Sequence, residues 1–212
     1  MEEFKTVKEN IQTQITEKKS KFITNIYNIN SVEEVEEIIK YIKKEYNDAR
    51  HNCYAYRVDD NGVLIERYSD DGEPSGTAGA PMLNILQKKE LYNVLVIVTR
   101  YFGGILLGTG GLVRAYSDSI TKVMDESIYV KNLKGFEIEI SLEYKDLEKF
   151  KYYCKKNNIK IVNVEYSDNI NIIIEIANKE KEKILENISK NKINIIKSKI
   201  LREKNIQKNI DI

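Results

Sequence analysis

Eight of the ten glycines and both prolines of this 212-residue chain fall between Gly72 and Gly111. Glycine admits positive φ and lets one backbone approach another, so its crowding into one segment marks where tight turns and close contacts are built. The segment opens with D-D-G-E-P-S-G-T-A-G-A-P (70–81) and ends in V-L-V-I-V-T-R-Y-F-G-G-I-L-L-G-T-G-G-L-V-R-A-Y (94–116). Between these lies Val94–Thr99, an unbroken and mostly β-branched run that fits a strand at the centre of a sheet. Helices are expected from about Thr77 and from about Gly110 to Glu126, the second carrying Leu112, Val113, Tyr116, Ile120, Val123 and Met124. The expected core is an α/β sandwich, strands first and βα units later.

The flanks read less sharply. Residues 3–9 and 21–29 have strand character, and Ser31-Val-Glu-Glu34 is a capping box for a helix with Val35, Ile38, Ile39 and Ile42 at helical spacing. His51–Arg57 reads as a strand, turned at Asp60-Asn61-Gly62 into Val63–Tyr68. Past Gly135 the texture changes: Phe136, Ile138, Ile140 and Leu142 alternate with Glu137, Glu139 and Ser141, a half-buried strand. A helix over Leu147, Phe150 and Cys154 follows, then strands at 159–166 and 169–177, a helix over Ile184, Leu185 and Ile188, and a strand near 193–201. That order, β-α-β-β-α-β, is ferredoxin-like. The expected organisation is α+β, with a first domain over 1–133 and a ferredoxin-like domain over 134–212.

Hydrophobic residues at 42% and charged residues at 32% are globular values, and a formal charge of +1 gives no wholesale attraction to nucleic acid or anionic membrane. Met1–Asn10 lacks the apolar core of a signal peptide, and the run Val94–Leu107 is too short to span a bilayer and holds Arg100. Cys53 and Cys154 form no metal or redox spacing. The chain reads as cytoplasmic, with reduced thiols and no membrane contact.

Candidate chemistry gathers in the glycine-rich segment. Gly103-Gly104 and Gly108-Thr109-Gly110-Gly111 lead from a strand into a helix N-terminus, whose unpaired N–H groups and positive dipole suit a phosphate or carboxylate. Neither the Walker A nor the dinucleotide fingerprint is met, and tight turns with close packing explain the same glycines. Arg100 can clamp a phosphate and Arg114 can join it in a small basic patch, with Tyr101 beside them; Phe102 reads as core. Asp70, Asp71 and Glu73 bring three carboxylates together before Pro74, with Ser75 and Thr77 close behind. They suit Mg²⁺ or acid–base work, but turn chemistry or pairing with Arg100 or Arg57 is the stronger reading. His51, the only histidine, shares a strand face with Cys53, yet no oxyanion donor or third member accompanies them, so His51 is assigned to structure or recognition. No metal or other cofactor is expected.

Taken together, H-N-C-Y-A-Y-R (51–57), D-D-G-E-P-S-G-T-A-G-A-P (70–81) and V-T-R-Y-F-G-G-I-L-L-G-T-G-G-L-V-R-A-Y (98–116) resemble the signature of the YigZ/IMPACT family, over most of the first domain. The tail resembles the additional domain of its bacterial members. The resemblance implies a first domain with the fold of elongation factor G domain IV, shared with ribosomal-protein relatives and GHMP-class kinases, and a second domain like elongation factor G domain V. It also implies a link to translation under stress, because eukaryotic members damp the starvation-response kinase by competing for its ribosome-associated activator. Two readings follow. One is a non-enzymatic module binding RNA, the ribosome or a translation-related protein. The other is an enzyme or sensor holding a phosphorylated ligand at Gly108–Gly111; the serine-rich phosphate loop of the GHMP kinases is absent. The first is preferred.

Overall fold

The computed structural model describes residues 3–182, 186, 190 and 193–210; the helix expected over Ile184, Leu185 and Ile188 lies outside the described residues. The chain divides into two units, Glu3–Val130 and Lys131–Asn209. Among the described residues there are four α-helices and two sheets, a mixed α and β architecture.

In chain order the first unit runs β1 (Glu3–Val7), β2 (Ile11–Glu17), β3 (Ser20–Asn28), α1 (Val32–Glu45), β4 (His51–Asp60), β5 (Val63–Ser69), α2 (Gly79–Lys88), β6 (Val94–Tyr101) and α3 (Thr109–Glu126). The sheet order is β2-β3-β6-β4-β5, with β6 antiparallel to both neighbours. Strand side chains alternate between faces. Val94, Val96 and Val98 therefore pack under α2 and α3 with Met82, Leu86, Leu112, Ile120 and Val123, while Leu95 and Ile97 pack with Val35 and Ile42 of α1. Helices on both faces are why β6 reads as a continuous apolar run.

Two local details depart from the sequence reading. Strand β2 was not expected: its only fully buried side chain is Thr13, and it turns into β3 at Lys18-Lys19, both at positive φ. A two-residue hairpin turn asks for Asn or Gly at those positions, so Lys-Lys carries no turn signal. The capping box is also half displaced. Ser31 Oγ accepts from Glu34 N–H at 3.2 Å, but the Glu34 carboxylate accepts from Asn30 N–H at 2.7 Å rather than from Ser31.

The second unit is built on β7 (Tyr129–Leu142), which begins just before the boundary, followed by α4 (Leu147–Lys156), β8 (Lys160–Tyr166), β9 (Ile170–Ala177) and β10 (Ile195–Asn209). Strand β9 lies between β7 and β8, antiparallel to both, and β10 pairs with β7. The core is Ile138, Ile140, Leu142, Phe150, Cys154, Ile170, Ile172 and Ile174. On the opposite face, Arg202 and Lys204 hydrogen-bond Glu137 and hold its carboxyl down to about 2.

Replacing Ser31 by Ala removes the side-chain acceptor at the start of α1 and should lower stability by about 1 kcal/mol, read as a shift in urea midpoint with unchanged slope.

Candidate functional site

The site begins with the register of three strands. Phe22 on β3 lies opposite Arg100 on β6, and Arg100 lies opposite His51 on β4. Alternation puts this row on the α3 face of the sheet, in line with Val98 and Cys53. An arginine and a histidine are thus set into an apolar face near the end of the central strand, and Arg100 is 5% exposed. Its guanidinium sits over Phe22, 5.4 Å from the ring centre.

The acidic loop supplies the counter-charge. Asp70 organises the loop: one oxygen accepts from Ala78 N–H at 3.0 Å and Gly79 N–H at 2.8 Å, the other from Gly76 N–H at 2.8 Å. Asp71 and Gly72 take positive φ. Asp71 accepts from Asn52 N–H at 2.7 Å and pairs with Lys43 at 2.7 Å, while its carbonyl oxygen lies 2.8 Å from His51 Nδ1. With the loop pinned to β4 in this way, Glu73 is laid over the row. Its Oε1 accepts from Arg100 Nη1 at 2.6 Å and from the Tyr116 hydroxyl at 2.9 Å. Arg100 Nη2 donates to Ser20 Oγ at 3.4 Å, and Gly103 N–H donates to the same oxygen at 3.2 Å. Glu73 is 8% exposed, so the ion pair is buried on both sides.

Above this cluster lies a cavity of about 530 Å³, lined by His51, Glu73 and Arg100, by Arg50 and Phe102, and by Leu106 to Thr109. The volume falls in the range of small-ligand sites, about 300–1,000 Å³. Helix α3 begins at this cavity. Its cap, Gly108, has φ 75° and brings no side-chain hydrogen bond, and its first turn carries no acidic residue. Leu112 N–H bonds Gly108 O at 2.9 Å, leaving the preceding amides with no place in the helical ladder. Arg50 is exposed at the cavity, with its guanidinium 5.5 Å from the Phe102 ring centre.

Several expectations change. Arg100 and Arg114 do not form a patch: Arg100 is buried against Glu73, while Arg114 is exposed on α3 and lines a separate cavity of about 210 Å³ with Glu17, Lys18 and Asp118. Tyr101, one residue on from Arg100, falls on the other sheet face and donates to Asp48 at 2.8 Å. Arg57 pairs with Glu66 at 2.5 Å and donates to Leu91 O at 2.9 Å, so it holds β4 to its neighbours and is not at the site. The carboxylates of Asp70, Asp71 and Glu73 diverge to backbone amides, Lys43 and Arg100, and no cluster of three ligating side chains among the described residues could hold a metal. Thr77 Oγ1 donates to Pro74 O at 2.7 Å within the loop, and Ser75 is exposed.

The glycines divide. A Cβ on Gly103 would lie 2.0 Å from the Lys19 backbone, so that position is architectural. Gly104 and Gly108 take positive φ. Gly110, inside the first turn of α3, has nothing within 4 Å of where its Cβ would be. Glycine inside a helix is destabilising by about 0.5–1 kcal/mol relative to alanine, and no packing contact here requires it.

Sequence reasoning missed Tyr116, Ser20 and Arg50. Tyr116 was read as core because it sits on the apolar stripe of α3, and it is buried; its hydroxyl nevertheless completes the Glu73 cluster. Burial first, then the neighbouring Cys53 and Glu73, hold it protonated. Cys53 Sγ lies 3.3 Å from that hydroxyl and 3.0 Å from Asp70 O, and burial pushes its thiol up to about 12. A thiol so raised is a poor nucleophile.

A sheet covered by helices on both faces, with a buried charged cluster beneath a cavity, defines a mixed α and β protein. The Impact N-terminal domain matches residues 18–124, and a domain of unknown function, DUF1949, matches residues 140–190. The chain belongs to the IMPACT family. It is 37% identical over 175 residues to IMPACT family member YvyE of Bacillus subtilis strain 168, covering 82% of this chain and 80% of that one. It is 37% identical over 152 residues to IMPACT family member YigZ of Escherichia coli K12, covering 70% and 74%. A crystal structure of a hypothetical protein, 29% identical, superposes with a TM-score of 0.62 over 92% of this chain and 97% of that one. No helix among the described residues is long and apolar enough to cross a membrane.

Replacing Glu73 by Ala leaves Arg100 buried without a counter-charge and should destabilise the protein by about 3–5 kcal/mol, measured by denaturant unfolding. Gly103→Ala should cost about 1–3 kcal/mol through the clash with Lys19, while Gly110→Ala should be neutral or stabilising in the same assay.

Proposed function

We propose that residues 1–133, taken as the first domain, form a non-enzymatic binding module in the regulation of translation, and that the cavity at the start of α3 is its point of contact. The group it receives is acidic, a phosphate or carboxylate of RNA, of the ribosome or of a translation-related protein. The observation that carries this reading is the uncapped α3 N-terminus opening beside exposed Arg50, a positive end with no acidic residue in its first turn. Phe102, Ile105 and Leu106 add exposed apolar side chains around it, the kind of surface that partners cover. Family membership supports the translational setting. The inert state of Cys53 and the engagement of all three loop carboxylates favour binding over catalysis.

Because Arg100 is consumed by Glu73, the site recognises a single acidic group and not a tract of phosphates. Binding to labelled RNA and to ribosomal subunits across a salt series should show a log–log slope of about −1 rather than several. Arg50→Ala should weaken binding about tenfold, while Arg114→Ala leaves it unchanged. A steep slope that Arg114→Ala reduces would move the interface to the other cavity and sink this reading. The volume of about 530 Å³ favours a second reading, a free phosphorylated small molecule in the same cavity; such a ligand would raise the melting temperature in proportion to its occupancy.

A further inference from the structure

The cavity is bipolar, and its buried end asks for the opposite chemistry from its exposed end. Glu73 uses Oε1 for both Arg100 and Tyr116; its Oε2 has no hydrogen-bond partner among the described residues. His51 Nδ1 lies 2.8 Å from the carbonyl oxygen of Asp71, and a carbonyl only accepts, so Nδ1 carries the hydrogen. In the neutral ring Nε2 is then a bare lone pair. Its separation from Glu73 Oε1 is 3.9 Å, too long for a hydrogen bond. Glu73 is 8% exposed and His51 9%, and both line the cavity. Neither atom is sealed from the cavity, so both are open acceptors to whatever enters it, whereas the donor Arg100 Nε beside them is buried without a partner. An anion is repelled from them; a hydroxyl or ammonium hydrogen is what both lack.

At the exposed end, the free amides of α3 and the Arg50 guanidinium are all donors, with Gly108 and Thr109 lining the cavity where the helix begins. A molecule that satisfies both ends carries an acidic group and a hydrogen-bond donor together. We infer that the cavity binds a phosphate monoester that also bears a hydroxyl or ammonium group, its phosphate on the first turn of α3 beside Arg50 and its donor on Glu73 Oε2 and His51 Nε2. This rests on the reading of the cavity as an acid-recognition site and names what else the ligand must carry. Such a group can arrive on a free metabolite or at the phosphorylated end of an RNA chain.

The test is calorimetric titration of the full chain with three probes: ethyl phosphate, which has no donor beyond its phosphate, glycerol 1-phosphate and phosphoethanolamine. The donor-bearing probes should bind about tenfold tighter than ethyl phosphate. Glu73→Gln keeps an oxygen for Arg100 and Tyr116 but removes the counter-charge and turns the free acceptor into an NH₂ donor; checked for folding by thermal melting, it should bind all three probes within about twofold of one another. His51→Phe, checked for folding by thermal melting, removes the ring lone pair and should weaken only the donor-bearing probes. Equal affinities of the three probes in the unaltered protein would overturn the donor pairing and leave acid recognition standing. No binding of any probe at millimolar concentration would remove both. Where the donor preference holds, competition by a short 5′-phosphorylated RNA against phosphoethanolamine identifies the source: displacement places the group on RNA, and its failure places it on a free small molecule.

Discussion

The first unit depends on the buried pair between Arg100 and Glu73. A guanidinium set into the apolar face of a central strand carries a desolvation penalty that attraction to one carboxylate repays only if the geometry is good and the other polar atoms are met. Tyr116, Ser20 and the loop pinned by Asp70 meet most of these atoms, while Arg100 Nε is left without a hydrogen-bond partner. Hydrophobic residues of the same volume would generally pack as well or better, so the cluster makes little sense as a device for stability alone. In the proposed reading it is the base of a site, a charged and oriented framework set before any ligand arrives.

Under the proposed reading, the same pair explains how a nearly neutral chain would recognise an acid. Arg100 and Glu73 largely offset one another, so in that reading an acid is met by the α3 amides and Arg50 at the exposed end. That is a local donor array aimed at one group, and it differs in kind from a basic surface that tracks a nucleic-acid backbone. It also separates the loop glycines by purpose. Gly103 lets two backbones touch and Gly108 turns the chain into the helix, whereas Gly110 meets no packing demand.

Much of this was legible beforehand, for physical reasons that differ by element. Strand β6 announced itself because both faces are buried, and α3 because one face is. Asp70, Asp71 and Glu73 were marked as a unit by the Gly and Pro around them, and pairing of Glu73 with Arg100 was among the expected partnerships. Strand β2 gave a weak signal because, of its inward residues Ile11, Thr13 and Ile15, only the threonine is buried and the two isoleucines are partly exposed, while its turn residues are lysines. Tyr116 was silent for a different reason: an aromatic on an apolar helical stripe looks the same whether its hydroxyl is idle or bonded. Arg100 and Arg114 looked alike in sequence, being cations near the same glycines.

Composition, periodicity and glycine placement marked most of the elements, a change of texture near Gly135 and the stretch that holds the proposed site, because burial and backbone freedom leave local traces. Tertiary structure alone decided which charges face one another. Cross-strand register placed Phe22, Arg100 and His51 in one row, although they are about eighty and fifty residues apart along the chain. Loop closure at Asp70 then brought Glu73 over that row. Neither event depends on neighbouring residues in sequence, so the difference between a solvated basic patch and a buried ion pair beneath a cavity exists only once the sheet has formed.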